Sequence, residues 1–552
     1  MLLFLAAFAV RLLAGLLFRG PGYLDAFYYV DVAQQLAAGH GLQVPFIWSF
    51  VEVGGAIPAV PTLPVPADAH WLPLGSLVQV PFIWLLGPSP LAYALPFWLA
   101  GAAAAPLTWF IGRDAGLAPW QAFAAGLLIA APGAVTPFMA QPDNFGLYLF
   151  LGALALWLCA LGLRGSRRAF VAGGLVVGLA SLARNDGILL GVPFALAFLL
   201  ERWRAWRTAG VVGAGALLGR GGVIGWAAAL GCLAGFLVLM VPWYARQLAV
   251  FGTILPSAAT GRILWITDYQ QLFSITGQPG LESFLAQGLG PLLVSRALGF
   301  VAAAGLFAYL PFAVVLAPLV LVGAWLRRRD AAFAPWLVYG LTLLGFSTVL
   351  FALHVPSGNF MHSAVALLPH ADLLLTVGIV AAVGWVARRR AGWNAPRASR
   401  VFTGLAVGLV LVFGAISTLT TTATWQSAAA ARAPLELALA PLASDDRLMS
   451  ADPAGWWYAT GRWGVVTPAD PLPTVEEAAR AYGIRWLVLE QSQITAELRP
   501  VLAGTEHPAW LSAPLVTVMA SAAPPGTQPP GSEPVAALYA VCLSQEDQRC
   551  AR

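Results

Sequence analysis

The stretch "LPLGSLVQVPFIWLL", Leu72 to Leu86, decides how the rest of the chain is threaded. It is apolar, but it is short and holds Pro73 and Pro81. A helix needs roughly 20 mainly apolar residues to cross a bilayer, and an internal proline removes a backbone hydrogen bond. The arginines arbitrate. They gather at Arg113, at Arg164, Arg167 and Arg168, at Arg202, Arg204, Arg207 and Arg220, at Arg327–Arg329, and at Arg388–Arg390 with Arg397 and Arg400. If Leu72–Leu86 does not cross, all of these fall on one side with the N-terminus, and loops rich in arginine belong on the cytoplasmic side. The stretch is therefore expected to be a re-entrant or interfacial helix.

Working outward gives eleven expected spans: 2–18, 90–111, 119–137, 144–163, 169–183, 187–200, 223–244, 300–326, 333–353, 363–387 and 401–422. The N-terminus is then cytoplasmic and the C-terminus extracytoplasmic. Composition agrees: the 552 residues are 59% hydrophobic and only 10% charged, with a mean hydropathy of +0.76. Soluble proteins of this length are about one-quarter charged, so the chain reads as a multi-pass membrane protein. The first apolar run has no basic leader and continues into an acidic stretch, and it reads as a retained span. All 30 basic residues are arginine; scattered between apolar runs, they give the net charge of +5 no nucleic-acid-binding face.

This threading puts a distinct set of groups outside. Loops 19–89 and 245–299 lie there, as do the turns at Asp143, Arg184–Asp186 and 354–362, and everything after about 425. The expected division is a membrane domain over 1–424 and a small soluble α/β domain over 425–552. In that tail "RLMSA", "IRWLVLE" and "PVAALYAVCL" read as strands, and "TVEEAARAYG" as a helix with Thr474 as cap and Gly483 at its end. The segment Pro524–Pro534 reads as a loop. Cys159 and Cys232 lie in apolar runs as small hydrophobes, while Cys542 and Cys550 are placed to pair if that end meets an oxidising compartment.

The carboxylates draw attention first. Asp25 follows the first span among Tyr23, Tyr28 and Tyr29, and Asp143 sits in "QPDNFGLYLFL" at the head of another span. Either can serve as a helix cap. Together, two acids from separate outer turns can share a proton, a divalent cation such as Mg or Mn, or an acceptor nucleophile. His70 opens the interfacial stretch. Arg184, in "SLARNDGILL", either pairs with Asp186 or meets an anionic head group. Arg246 ends the seventh span beside Trp243 and Tyr244, where an arginine can snorkel. "SGNFMHSAVALLPHADLLLTVG" carries His362, His370 and Asp372 toward the tenth span, and ionisable groups at membrane depth are costly enough to suggest a role.

In order along the chain, these segments resemble the GT-C membrane glycosyltransferases, in particular bacterial relatives of the protein O-mannosyltransferases (glycosyltransferase family 39-like) and the lipid A aminoarabinose transferases. "YLDAFYYVDVAQQLAAGHGL" resembles the family's first outer loop, "HWLPLGSLVQVPFIWLLGPS" its interfacial helix, and "QPDNFGLYLFL" its second acidic loop. "SLARNDGILL" and "VPWYARQLAVFGTILPS" resemble its two later turns. Where the family commonly has an Asp-Glu pair, this chain has Asp25-Ala26. The resemblance implies an all-α GT-C bundle with an extracytoplasmic α/β tail. It implies transfer of a sugar from a polyprenyl-phosphate donor to a glycan, lipid or protein acceptor at the outer face of the cytoplasmic membrane, by the chemistry of an inverting enzyme. Asp25 then matches the residue that deprotonates or orients the acceptor, and Asp143 the second-loop acid. Tyr28, His70, Arg184, Arg246 and His362 are the expected substrate contacts. The competing readings are a transporter or flippase of lipid-linked glycans, which would place its polar groups near mid-membrane, and a non-catalytic subunit.

Overall fold

Prolines and glycines decide where the apolar runs become separate helices. In a computed structural model, which describes residues 1–208, 224–390, 392–519 and 534–542, six helices are long and apolar enough to cross a membrane. They are Pro90–Asp114, Phe145–Leu163, Trp226–Phe251, Leu289–Tyr309, Asn359–Ala387 (which includes a short break) and Ala395–Leu439. A seventh is formed if the bent pair Pro119–Ala130 and Gly133–Ala140 counts as one span; the two parts meet at 43° across Pro132. The helices Leu2–Gly15, Leu74–Leu86, Ala317–Arg327 and Ala334–Val349 are apolar but shorter. Arg220, Cys550 and most of the expected 524–534 loop lie outside the described residues.

Two compact units divide the chain. One comprises Met1–Arg19, Trp71–Pro256 and Leu289–Thr422; the other Gly20–His70, Ser257–Gly288 and Ala423–Arg552. In the first, small residues permit close helix approach: a Cβ on Gly146 would stand 2.6 Å from the carbonyl oxygen of Phe97, and one on Gly323 would stand 2.0 Å from that of Leu374. The bend after Ala130 frees two carbonyls, and Arg11 takes them. Its guanidinium, fully buried, donates to Ala130 O at 3.1 Å and Ile129 O at 3.3 Å, and to Ala7 O in its own helix at 2.9 Å. Inside a bilayer an unmet backbone carbonyl costs several kcal/mol, so this arginine is a structural staple for the bend.

The single span expected across 300–326 is two helices, Leu289–Tyr309 and Ala317–Arg327. Pro311 and Pro318 flank the break, and Ala313 and Val314 adopt positive φ angles of 48° and 64° there. Periodicity cannot reveal such a break when both sides are apolar.

Among the described residues the second unit has eight short strands: β1 Gln43–Val44, β2 Phe46–Ile47, β3 Val65–Pro66, β4 Arg447–Ser450, β5 Gly464–Val466, β6 Ile484–Glu490, β7 Val516–Met519 and β8 Pro534–Ala540. β1 and β3 pair antiparallel. The others form one six-stranded sheet, ordered β2-β5-β4-β6-β8-β7, in which β2, β5, β4 and β6 are parallel, β8 is antiparallel to β6, and β7 is antiparallel to β8. The loop segment Phe46–Ile47 thus adds the sheet's edge, Phe46 opposite Gly464. Asp470 ties in the segment after residue 257, accepting from Ser274 Oγ at 2.7 Å and Ile275 N at 2.6 Å. From the last turns of Ala395–Leu439, Arg432 donates to Glu490 and Asp452, both at 2.7 Å, and the indole of Trp456 donates to Glu490 at 3.1 Å. Arg462 donates to the helix-end carbonyls of Leu439 at 2.8 Å and Leu442 at 2.9 Å. The tail helix begins at Leu472 after Pro471, so Thr474 lies inside it and is not its cap; Gly483 does follow its end, with φ of 63°.

Candidate functional site

In the first unit the polar groups are organised by one short helix, Asn359–Ala364. Gly358 starts it in the left-handed region, φ 95°, which glycine adopts without the strain a Cβ imposes. Residues three and four apart share a helix face, so Asn359, His362 and Ser363 emerge together. The imidazole of His362 stacks on Phe145, ring centroids 4.0 Å apart at 29°. Its Nε2 lies 3.1 Å from Asp143 Oδ2, and its Nδ1 lies 3.2 Å from the carbonyl of Gly358. Both ring nitrogens therefore face acceptors. The Nε2 contact pairs the imidazole with the carboxylate, and the Nδ1 contact fixes the plane of the ring.

Asp143 is 1% exposed. Its Oδ1 accepts from the backbone N–H of Asn144 at 2.5 Å, at the head of Phe145–Leu163, so it acts there as a helix-end acceptor while facing the histidine. Asn144 is held by donation to Ala183 O at 2.8 Å. The next residue, Arg184, ends the helix Arg167–Ala183 in extended backbone and turns its guanidinium to the same short helix. Nε donates to Ser363 Oγ at 2.8 Å and to Asp186 Oδ1 at 3.1 Å, and Nη2 donates to Asn359 Oδ1 at 2.7 Å. Ser363 in turn donates to the other oxygen of Asp186. Beside this layer Tyr339 donates to Ser363 O at 3.2 Å and meets the hydroxyl of Tyr148 at 3.1 Å.

The structure thus brings together Asp143 with His362, and Arg184 with Asp186, through consecutive residues of one helix. Arg246, in the same unit, is half-buried over the rings of Trp243 at 5.0 Å and Phe251 at 5.5 Å on its own helix. His370 and Asp372 are buried in Leu368–Ala387; spaced two apart, they do not face one another on a helix. Asn359, Ser363 and Tyr339 join a site that sequence reading populates only with charged residues and His362. Their signal is the spacing from His362, visible once 359–364 is known to be helical. Asp143 and His362 offer one carboxylate oxygen and one imidazole nitrogen that could join a metal's ligand set; Mg is usually held by one or two carboxylates, with water and phosphate oxygens completing its shell.

In the second unit Asp25 lies in the first turn of the helix Leu24–Ala37, where a carboxylate complements the helix dipole, and it is partly exposed. The N-cap is Tyr23, so the capping role open to Asp25 is not the one it fills. Tyr28, on the same helix, is fully buried and its hydroxyl accepts from the N–H of Asp68 at 2.8 Å. His70 packs its ring 4.8 Å from Trp48. Nearby, Glu52 accepts from Trp48 N at 3.0 Å, and burial pushes its carboxyl up to about 8. Asp31 is fully buried as well; burial, reinforced by the Asp452 carboxylate, holds it well above the ordinary carboxylate range.

No family model matches the chain, and no curated protein sequence matches it. Solved structures do. ArnT from Cupriavidus metallidurans bound to undecaprenyl phosphate aligns over 98% of this chain and 97% of its own, with a TM-score of 0.51 and 15% identity. The apo state of the same protein aligns over the same shares with a TM-score of 0.52. The mycobacterial arabinofuranosyltransferase AftD aligns over 99% of this chain but 42% of its own, with a TM-score of 0.45, too weak a likeness to bear weight. The chain has the GT-C fold.

Proposed function

We propose that this GT-C chain is a glycosyltransferase that moves a sugar from a polyprenyl-phosphate carrier to an acceptor at the outer face of the cytoplasmic membrane. The observation that carries the proposal is the polar layer around Asn359–Ala364, in which a carboxylate–imidazole pair and an oriented guanidinium are fixed by one short helix of an apolar bundle. Lipid-linked donors enter sideways from the bilayer while acceptors arrive from water, so such a group suits that reaction. The likeness to ArnT, solved with undecaprenyl phosphate, supports the same carrier class.

In the proposed reaction an acceptor hydroxyl attacks the anomeric carbon and gives up its proton to a carboxylate. The bond from that carbon to the phosphate oxygen breaks, and the phosphate leaves with the electron pair. Asp25 is assigned as the base or acceptor-orienting group, on its match to the family's first outer loop. Asp143 with His362 holds or relays a proton, and Arg184, held in place by Ser363 and Asn359, steadies the charge that grows on the leaving phosphate. Arg246 and His70 are assigned to substrate binding on the same match. Inversion at the anomeric carbon follows from a single displacement.

The test is turnover of a panel of polyprenyl-phosphate sugars by the full chain in nanodiscs. General acid–base catalysis contributes about 10²–10⁴-fold, so Asp25→Asn and Asp143→Asn should each lower kcat by about 100-fold or more while the protein still elutes as one species. Wild-type activity in Asp25→Asn would remove the base assignment. A chain that moves donors across vesicles but transfers no sugar would favour the transporter reading.

A further inference from the structure

We propose a second lipid site on the membrane domain: a groove between Leu368–Ala387 and the first turns of Ala395–Leu439 that holds an acyl chain of an anionic phospholipid from the surrounding bilayer, its phosphate resting on the arginine-rich turn that joins the two helices. The groove has a volume of about 340 Å³ and is lined wholly by apolar side chains, among them Ile379, Val383, Val386, Leu405 and Leu409, with Leu319 from Ala317–Arg327 closing one wall. Several of these walls face outward: Leu405 is 61% exposed and Leu409 41%. For helices that cross a membrane, such faces meet lipid tails.

What specifies the occupant is the charge at the groove's end. The chain carries Arg388, Arg389 and Arg390 in the turn and Arg397 and Arg400 at the start of the following helix, all exposed, and has no acidic residue between Asp372 and Glu436. Two of these arginines lie within a helical turn of groove-lining residues: Arg388 follows Val386, and Arg400 precedes Phe402. Trp393 both lines the groove and stacks near Phe402, ring centroids 6.2 Å apart, and Arg389 stacks over Trp385 at 3.8 Å. Tryptophans beside arginines mark the depth of lipid head groups. A chain in the groove therefore puts its phosphate level with five guanidinium groups and no competing carboxylate from this stretch. Guanidinium forks suit phosphate oxygens, and basic pockets between membrane helices suit anionic head groups. A zwitterionic lipid fills the same groove but brings a choline or amine into that positive field, so it binds less well. The site shares none of its residues with the polar layer at Asn359–Ala364, and its existence does not depend on the transfer reaction.

Native mass spectrometry of the full chain in detergent tests this, with phosphatidylglycerol and phosphatidylcholine of identical acyl chains titrated separately. Arginines near the membrane surface attract anionic head groups, so phosphatidylglycerol should bind about tenfold more tightly or better. Leu405→Trp, which fills the groove, should remove the tight binding; Arg388→Gln, Arg389→Gln, Arg390→Gln, Arg397→Gln and Arg400→Gln together should bring phosphatidylglycerol to the level of phosphatidylcholine. If Leu405→Trp does not elute as a single species, Ala406→Leu takes its place. Equal binding of the two lipids by the wild type overturns the proposal. So does tight phosphatidylglycerol binding that survives the filled groove, which would mean adsorption on the arginines alone. Preference that survives the five arginine substitutions overturns it too, by placing the head group elsewhere.

Discussion

At the scale of single residues, the charged groups that matter most to stability are not those that stand out in the sequence. Arg11 lies in an apolar run and reads there only as part of a span, yet it binds the two carbonyls left open by the bend after Ala130. Hydrogen bonds to charged groups contribute about 1.5–3 kcal/mol, so Arg11→Met should destabilise the chain by roughly that much, seen as a lower unfolding temperature in detergent. An unchanged unfolding temperature would mean that water or lipid satisfies those carbonyls. Glu52 makes a second test. Its folded value, about 8, lies above the ordinary 4.5, because burial disfavours the charged form; nearby Asp68 adds to this, while hydrogen bonds from Trp48 and Ser49 oppose it. The folded state therefore holds a proton that the unfolded chain releases, and stability is full below about pH 4.5 and falls as pH rises through about 8. Glu52→Gln should flatten that fall by several degrees in unfolding temperature between pH 5 and 8. A slope unchanged by the substitution would assign it to another group.

At the scale of elements, the site depends on Asn359–Ala364. Much of the layer it organises is legible in the sequence: Asp143, Arg184 and His362 each stand out as polar groups placed beside apolar runs. Their mutual arrangement is not, because nothing in the order of residues says that the turn 354–362 coils into a helix offering three side chains on one face. The helix breaks are hidden for a related reason. Apolar residues on both sides of Pro132 and Pro311 give no contrast, so only backbone geometry separates bent or paired helices from a single span. Within the layer, Ser363 accepts from Arg184 and donates to Asp186. Ser363→Ala should cost about 1 kcal/mol of stability. If Arg184 holds the donor phosphate, the same change should raise KM for the polyprenyl donor several-fold with a smaller effect on kcat. A kcat loss with KM intact would instead place Ser363 in the transfer step.

At the scale of the whole molecule, composition and the arginine pattern identify a polytopic membrane chain, and the ordered segments by themselves point to the GT-C fold. The tail's strands β4, β6 and β8 are also legible, since each is a short apolar run. The first outer loop's contribution is not. Phe46–Ile47 is two residues long, and a strand that short carries no period; it becomes a strand only by pairing with β5, more than 400 residues away. The sheet is thus assembled from distant parts of the chain, and sequence-local reasoning sees only the longer pieces. The central claim, that the polar layer around Asn359–Ala364 receives a lipid phosphate, is tested most directly by a cryo-EM map of the full chain with undecaprenyl phosphate. Phosphate density is predicted about 3 Å from the guanidinium of Arg184 or from His362, within hydrogen-bonding range. Phosphate density found only elsewhere, for instance at Arg397 and Arg400, would contradict it.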